Sequence, residues 1–214
     1  MAREGLPILI PIWVVIILSW SIAGFLHSKT GYGISAILTI LGAFSVYSFR
    51  DPERAIPATE GAVVSPADGR IVEIHEEEEP VFMRTKAIRV SIFLSVFNVH
   101  INRIPQAGTV RYKEYRPGRF LIAWKEKASA DNEHTFIGIE TPKGAKLVVK
   151  QIAGLIARRI VCYAEAGRSF QTGQRFGLIR FGSRTDLFVP VGTVLRVRVG
   201  DKVQGGSTII GEIP

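Results

Sequence analysis

The chain has 214 residues, with 27 Lys and Arg against 19 Asp and Glu, a formal net charge of +8, and 47% hydrophobic residues. Its single cysteine, Cys162, excludes a disulfide framework, and it has no CxxC neighbour that would suggest a zinc cluster. A charged fraction of only 21%, with Phe, Trp and Tyr present, excludes a disordered chain. The length suits one medium domain with a small accessory segment.

Two long uncharged runs occupy the first fifty residues, over positions 5–26 and 30–49. At 1.5 Å rise per residue, about 20 helical residues cross the roughly 30 Å hydrocarbon core of a bilayer. Residues 1–50 therefore predict a membrane-anchoring helical hairpin, since the first run is too long for a cleaved signal peptide. Pro7 and Pro11 leave two forms open, a pair of full spans and a shallower re-entrant hairpin.

The flanking cations predict the orientation of this hairpin. Arg3, Arg50 and Arg54 lie on the side of the chain ends, whereas Lys29 alone lies in the turn. The positive-inside rule then predicts a cell-membrane protein with residues 51–214 on the cytoplasmic side. These residues carry +6 of the charge, which favours an anionic lipid surface. No nucleic-acid partner is expected, because the sequence has no helix-turn-helix, zinc-finger or RNA-binding motif.

Short β-prone segments separated by Gly and Pro follow residue 51. GAVVSPADGRIVEIH, residues 61–75, predicts two strands around a turn at PADG. The glutamates at 76–79 are interpreted as a solvated loop, and residues 121–132 as a stretch of helical character. Further strands are predicted over 86–95, 108–118, 135–144, 145–154 and 158–167. The predicted fold class is mainly β, a compact barrel or sandwich after the helical hairpin.

The C-terminal glycines suggest a more specific architecture. VGDKVQGGSTIIG, residues 199–211, resembles one half of a biotinyl/lipoyl-type hybrid barrel, and SPADGRIVEI resembles the other half. One interpretation is therefore a membrane-anchored carrier or binding module without catalysis. Such a carrier needs a modifiable Lys at a hairpin tip, usually beside Met, but the only methionines are Met1 and Met83. Glycine spacing specifies how a sheet folds rather than what it does.

Candidate chemistry is sparse when residues are considered one at a time. The four histidines show no HxH or HExxH spacing, so no metal site is predicted. Gly182-Ser183 lies between β-prone segments, beside Arg180 and Arg184. Taken alone, a Gly-Ser pair in a strand indicates a bulge or a bend.

Five strings together, in the same order along the chain, resemble the phosphatidylserine decarboxylase proenzyme family. The resemblance is to its short form, in which two apolar segments precede a compact catalytic domain. The strings are FRDPER (49–54), SPADGRI (65–71), KASADNE (127–133), QIAGLIARRIVCY (151–163) and RFGLIRFGSRTDLFVP (175–190). An archaetidylserine decarboxylase, acting on an ether-linked lipid, is left open because the serine headgroup would be the same.

This resemblance implies a proenzyme that cuts itself between Gly182 and Ser183. The products would be a β chain of residues 1–182 and an α chain of residues 183–214. Ser183 would become a covalent pyruvoyl group, so that neither pyridoxal phosphate nor a metal is expected. The family chemistry is a Schiff base between the pyruvoyl group and the substrate amine, from which carbon dioxide leaves to give the ethanolamine phospholipid.

The resemblance also implies roles for three further residues. His100 matches the family position for the base, and Asp68 matches the position for its orienting group. Arg103 stands where the long form has a second histidine. Either His100 serves both self-cleavage and decarboxylation, or Arg103 helps to hold the phosphate or carboxylate of the substrate. The implied partners are the phospholipid substrate, the membrane and the two chains of one proenzyme, and a homo-oligomer is left open.

Overall fold

The computed structural model describes residues 1–119, 132–154, 159–180 and 183–214. The chain divides into two compact units, Met1–Pro52 and Glu53–Pro214. The first unit is helical and the second consists of strands.

The N-terminal unit is a helical hairpin. After a short 3-10 turn, α1 covers Leu6–Phe25 and α2 covers Lys29–Ser48. Ser28 caps α2 by accepting a hydrogen bond from the Gly31 amide at 3.1 Å. Gly42 lets the helices approach closely, because a Cβ at that position would lie 2.5 Å from Cδ1 of Ile16. Both helices are long and apolar enough to cross a membrane by length and composition.

The described residues of the second unit contain fourteen strands. They are β1 Ala62–Val64, β2 Gly69–Glu79, β3 Thr85–Leu94, β4 Ile101–Arg103, β5 Gly108–Arg116, β6 His134–Glu140, β7 Lys146–Ile152, β8 Ile160–Cys162, β9 Ser169–Phe170, β10 Arg175–Ile179, β11 Ser183–Pro190, β12 Val194–Leu195, β13 Lys202–Val203 and β14 Ile209–Glu212.

The strands pair in antiparallel fashion into three sheets. The main sheet has eight strands in the order β13-β2-β3-β11-β7-β6-β5-β9, and the two smaller sheets have the orders β4-β10-β8 and β1-β14-β12. A mainly β fold with an N-terminal helical hairpin is therefore confirmed. Within the described ranges the strands form open sheets rather than a closed barrel.

Two local predictions need correction. The glutamates at 76–79 do not form a loop, because β2 continues through Glu79 and pairs with β3 along that length. Glu79 is buried, and its carboxylate accepts hydrogen bonds from the amides of Val81, Phe82 and Met83, which fixes the turn into β3. The strands on either side of PADG form as predicted but pair with different neighbours, β1 with β14 and β2 with β3. The predicted helical stretch at 121–132 lies outside the described residues, apart from its last one.

Alternation along β11 directs its side chains to two different environments. Leu187 and Val189 pack into the main hydrophobic core, whereas Phe188 packs into a smaller cluster on the other face of the sheet. Ser183 shares the face of Leu187, and Arg184 shares the face of Phe188. Ser183 and Arg184, the first two residues after the predicted cleavage point, therefore have their neighbours on opposite faces of the sheet.

Candidate active site

Ser183 is the first residue of β11, opposite Leu94 of β3. It is fully buried, and its Oγ has no hydrogen-bond partner among the described residues. A buried hydroxyl normally finds a partner, so an unpaired one at this position requires an explanation. Gly182, the other half of the predicted cleavage site, lies outside the described residues.

His100 directly precedes β4 and is 4% exposed. Its carbonyl accepts a hydrogen bond from the Ile179 amide at 3.1 Å, and Ile101 pairs with Leu178. The histidine backbone therefore lies beside the end of β10, four residues before Ser183 in the chain. This register places His100 beside the last residue of β10, whereas a contact between its side chain and Ser183 stays a prediction.

Asp68 ends the turn between β1 and β2, and both of its carboxylate oxygens are engaged. Oδ2 accepts a hydrogen bond from Nη2 of Arg54 at 2.7 Å, and Oδ1 accepts one from the Gly205 amide at 2.8 Å. The side chains of Arg54 and Asp68 are only 13% and 12% exposed, so water screens this ion pair poorly. An orienting contact from Asp68 to His100 stays a prediction.

Arg103 lies in β4, three residues after His100, and is buried. Its Nη1 donates to the Gly173 carbonyl at 3.0 Å, and its backbone amide donates to the Pro66 carbonyl at 2.9 Å. Gly206 lies against its side chain, since a Cβ on that residue would come within 2.8 Å of the Arg103 Cδ. The C-terminal glycines, which the sequence indicated only as architecture, therefore line the surroundings of both Asp68 and Arg103.

Asn102 joins the elements that carry the predicted residues. Its Nδ2 donates to the Pro66 carbonyl at 3.4 Å and to Oγ1 of Thr185 at 3.2 Å, and its Oδ1 accepts from Nε2 of Gln151 at 2.8 Å. The three polar side chains are each 1% exposed or less. The Asn102 amide thus connects β4, β7, β11 and the turn that bears the predicted orienting carboxylate. Hydrogen bonds in such a buried, low-dielectric setting hold these elements together.

Behind Ser183, on the opposite face of the main sheet, lies a cluster of buried charges. Arg184 is fully buried and donates from Nε to Asp186 at 2.6 Å, and from Nη2 to Ser91 at 2.6 Å and to Glu73 at 3.1 Å. Arg89 donates to the other oxygen of Glu73 at 2.8 Å. Arg184, the second residue after the predicted cleavage point, is therefore fixed in the sheet by an ionic network.

Lys150, on β7, lies opposite Asp186 on the same face of the sheet. Its pKa reflects the low polarity of these surroundings. Burial lowers the pKa of the Lys150 ammonium, while the nearby carboxylate of Asp186 opposes that shift. His134, on β6, behaves in a similar way, because burial lowers the pKa of its imidazole. Its Nδ1 lies 2.7 Å from the Asn132 carbonyl. Both shifts show that charge on this face of the sheet is costly unless it is paired.

Sequence reasoning did not identify Arg54, Asn102 or Arg184 as contributors to the site. Arg54 lies in FRDPER, which carried the resemblance without being given a role. A usable signal was present for Arg184, because SRTDLFVP places charges at alternate positions of an otherwise apolar strand. Asn102 gave no comparable signal, since an isolated Asn in a short strand is common.

Known proteins resemble this chain over most of its length. The sequence profile described as phosphatidylserine decarboxylase matches residues 41–211. A phosphatidylserine decarboxylase proenzyme of Symbiobacterium thermophilum is 47% identical over 213 residues, covering 100% of this chain and 95% of the relative. The chain belongs to the phosphatidylserine decarboxylase family. Relatives of the same name from Paraburkholderia phymatum and Burkholderia pseudomallei are 46% and 45% identical, with 99% and 100% of this chain covered and 96% and 95% of theirs.

The carrier interpretation loses its remaining support in the structure. Met83, the only methionine outside the N-terminal unit, is buried in the smaller hydrophobic cluster with Phe136 and Phe188. The residue that follows it is Arg84 rather than a lysine. The turn around Met83 therefore does not display a lysine for modification.

Proposed function

We propose that this protein decarboxylates the serine headgroup of phosphatidylserine, or of an ether-linked analogue, to the corresponding ethanolamine phospholipid. The observation that carries the proposal is the buried hydroxyl of Ser183, which has no hydrogen-bond partner in the described part of a chain of this family. The relatives are named proenzymes, which supports a reaction centre that the chain makes from its own residues.

Self-cleavage at Gly182-Ser183 begins with attack of the Ser183 Oγ on the carbonyl carbon of Gly182. The amide becomes an ester as the acyl group moves from nitrogen to oxygen. Removal of the α proton of residue 183 then expels the Gly182 carboxylate and leaves a dehydroalanine. Its hydrolysis releases ammonia and leaves the pyruvoyl group at the start of residues 183–214. A hydroxyl without a competing hydrogen bond is well suited to the first of these steps.

His100 is proposed as the base that accepts the Ser183 proton, and Asp68 as the carboxylate that orients it. Support for His100 comes from the register of β4 and β10, which brings its backbone close to the end of the strand that leads to Ser183. Support for Asp68 comes from its fixed position, since Arg54 and Gly205 each hold one oxygen. Buried polar side chains locked by neighbours in this way supply the preorganisation that catalysis requires.

The surroundings of Ser183 also fit a pyruvoyl group at that position. When present, that group supplies an electron sink for the bond that breaks as carbon dioxide leaves. This chain's own residues exclude water, because residues 183–189 of β11 are buried between β3 and β7. Asn102 holds the neighbouring Thr185, and Arg184 holds the opposite face of the strand. Arg103, three residues after His100, is proposed to bind the phosphate or carboxylate of the substrate.

The helical hairpin is proposed to insert into the cell membrane and to keep the enzyme at its lipid substrate. Support comes from α1 and α2, which are each 20 residues long and leave apolar side chains such as Ile17 and Ile40 exposed. About 20 residues are sufficient to span a bilayer. The cations at the chain ends favour a cytoplasmic location for the catalytic unit.

The decisive experiment is a denaturing gel with intact-mass analysis of the purified protein. We expect two chains that meet between Gly182 and Ser183, with a blocked terminus on the smaller one. Ser183→Ala should remain one chain, whereas Ser169→Ala, at an exposed serine of β9, should be cut as the wild type is. An uncut wild-type chain would refute the proposal, and normal cleavage speed in His100→Ala would remove that residue as the base.

A further inference from the structure

The turn between β3 and β4 is held rigidly by its own side chains. Oδ1 of Asn98 accepts hydrogen bonds from the Ser95 amide at 2.8 Å and from the Ser95 Oγ at 2.7 Å. The Asn98 amide donates back to the Ser95 carbonyl at 3.0 Å. Three hydrogen bonds within four residues give this turn a defined shape, so whatever it carries at its tip is displayed in a fixed position.

Phe97 is the residue at that tip, and it is 64% exposed. The next residues along the chain are buried, with Val99 at 3% and His100 at 4% exposure. A single exposed phenylalanine is ordinary on a protein surface and carries no inference by itself. Its position is less ordinary, because it precedes the proposed base by three residues on a rigid turn.

Two arginines lie at the same edge of the β4-β10-β8 sheet. The His100 carbonyl accepts from the Ile179 amide, and Ile179 pairs with Ile160 of β8. One residue further, the Arg180 amide donates to the Arg159 carbonyl at 3.2 Å. Both arginines therefore flank the strand ends beside the proposed base; Arg159 is exposed to solvent and Arg180 is half-buried.

An exposed aromatic ring and arginines at one edge of a domain are a combination that suits a bilayer interface. Apolar and aromatic side chains enter the boundary between headgroups and acyl chains, while cations stay at the level of the phosphates. Each Lys or Arg near an anionic membrane surface adds to the attraction. We propose that Phe97, Arg159 and Arg180 form an interfacial surface that docks the edge of the active site onto an anionic phospholipid bilayer.

This inference rests on the proposed function and deepens it. The hairpin would keep the protein at the membrane, whereas the interfacial surface would bring the sheet edge that carries His100 to the headgroups. A lipid would then reach the site without leaving the bilayer. An acidic protein would also be attracted to arginines, but it would not require an aromatic ring at the tip of the turn, so the bilayer is the better occupant.

Kinetics on two forms of the substrate test the surface. Phe97→Ser should raise the half-saturating concentration of phosphatidylserine in mixed vesicles roughly tenfold, without changing kcat/KM on water-soluble dibutyryl phosphatidylserine. Phe97→Trp should retain vesicle activity, because Trp also prefers the interface. Val194→Ser is the matched control, since Val194 is 56% exposed on a strand of another sheet. An equal loss on both substrates, or an equal loss in the control, would overturn the proposal.

A fluorescence measurement keeps this test separate from the proposed reaction. An environment-sensitive dye is attached at Phe97→Cys or at Val194→Cys, with the free Cys162 replaced by Ser. In full-length protein reconstituted into phosphatidylserine vesicles, we expect a blue shift of emission at position 97 and a smaller one at position 194. This result would support the surface even in a protein that decarboxylated neither substrate. No shift at position 97, or equal shifts at both positions, would overturn it.

Discussion

Replacing Arg184 by Met would remove a buried cation from the face of the main sheet that lies opposite the main hydrophobic core. The change deletes three hydrogen bonds, to Asp186, Ser91 and Glu73, at 2.6, 2.6 and 3.1 Å. Met has a similar length and leaves little cavity, so the effect isolates the charge. Asp186 is fully buried and loses its 2.6 Å ion pair, whereas Glu73 keeps its contact with Arg89.

Removing one partner of a buried ion pair costs about 3–5 kcal/mol, because the remaining charge stays out of water. The lower end of this energy range applies to Arg184→Met, because the Lys150 ammonium still attracts the Asp186 carboxylate. We therefore expect a loss of about 3 kcal/mol in the free energy of unfolding. For a domain of this size such a loss lowers Tm by roughly 6–12 °C. The double variant Arg184→Met/Asp186→Asn should recover part of this loss, because the unpaired Asp186 charge is then removed, whereas the buried Lys150 ammonium loses the carboxylate that attracts it.

The assay is urea denaturation of the full chain in detergent, followed by circular dichroism. All variants carry Ser183→Ala, so that only uncut chains are compared. Arg111→Met is the matched control, because Arg111 pairs with Glu140 at 2.7 Å with side chains 57% and 36% exposed. That exposed pair should contribute less than about 1 kcal/mol. A loss in Arg184→Met no larger than in the control, or no recovery in the double variant, would refute the role of the buried network.

Three further outcomes follow from the site. Asn102→Ala should slow self-cleavage about tenfold or more, because Thr185 loses the amide hydrogen bond that connects β11 to β4. A timed denaturing gel measures the rate, and cleavage at the wild-type rate would contradict this prediction. Arg54→Met should impair cleavage more than Arg54→Lys, since Lys keeps a charge near Asp68; equal rates in both variants would argue against the ion pair. Burial lowers the pKa of His134, so the unfolded chain binds its proton at higher pH than the folded one. The free energy of unfolding should therefore fall as pH drops below about 6.5, and His134→Gln should flatten that dependence in urea titrations; an unchanged slope would contradict it.

Features that depend on neighbours in the sequence were predictable from the sequence. The uncharged runs predicted α1 and α2, because a helix across hydrocarbon needs a continuous apolar stretch. The segments rich in β-branched residues predicted most of the strands, since alternation and turn residues are local properties. The resemblance pointed to Ser183, His100 and Asp68 as separate positions without saying what surrounds them.

The acidic stretch at 76–79 shows where local reasoning fails. Four consecutive glutamates are typical of a solvated loop, but pairing with β3 extends β2 through them. Glu79 is buried and caps a turn, which compensates for its desolvation. A strand partner supplied by another part of the chain can override the local preference of a segment.

What the sequence by itself determined was the helical hairpin, the mainly β class, the family and the candidate scissile bond. Only the tertiary structure decided that Asn102 joins four elements, that Arg54 holds Asp68, and that Arg184 is locked behind Ser183. Apart from the Arg184–Asp186 pair within β11, the contacts of these residues connect positions from 14 to 111 residues apart. Strand order and register create them, and neither is encoded in any single segment. A buried polar side chain can only be interpreted once its partners are known, because its charge and hydrogen bonds are satisfied by distant parts of the chain.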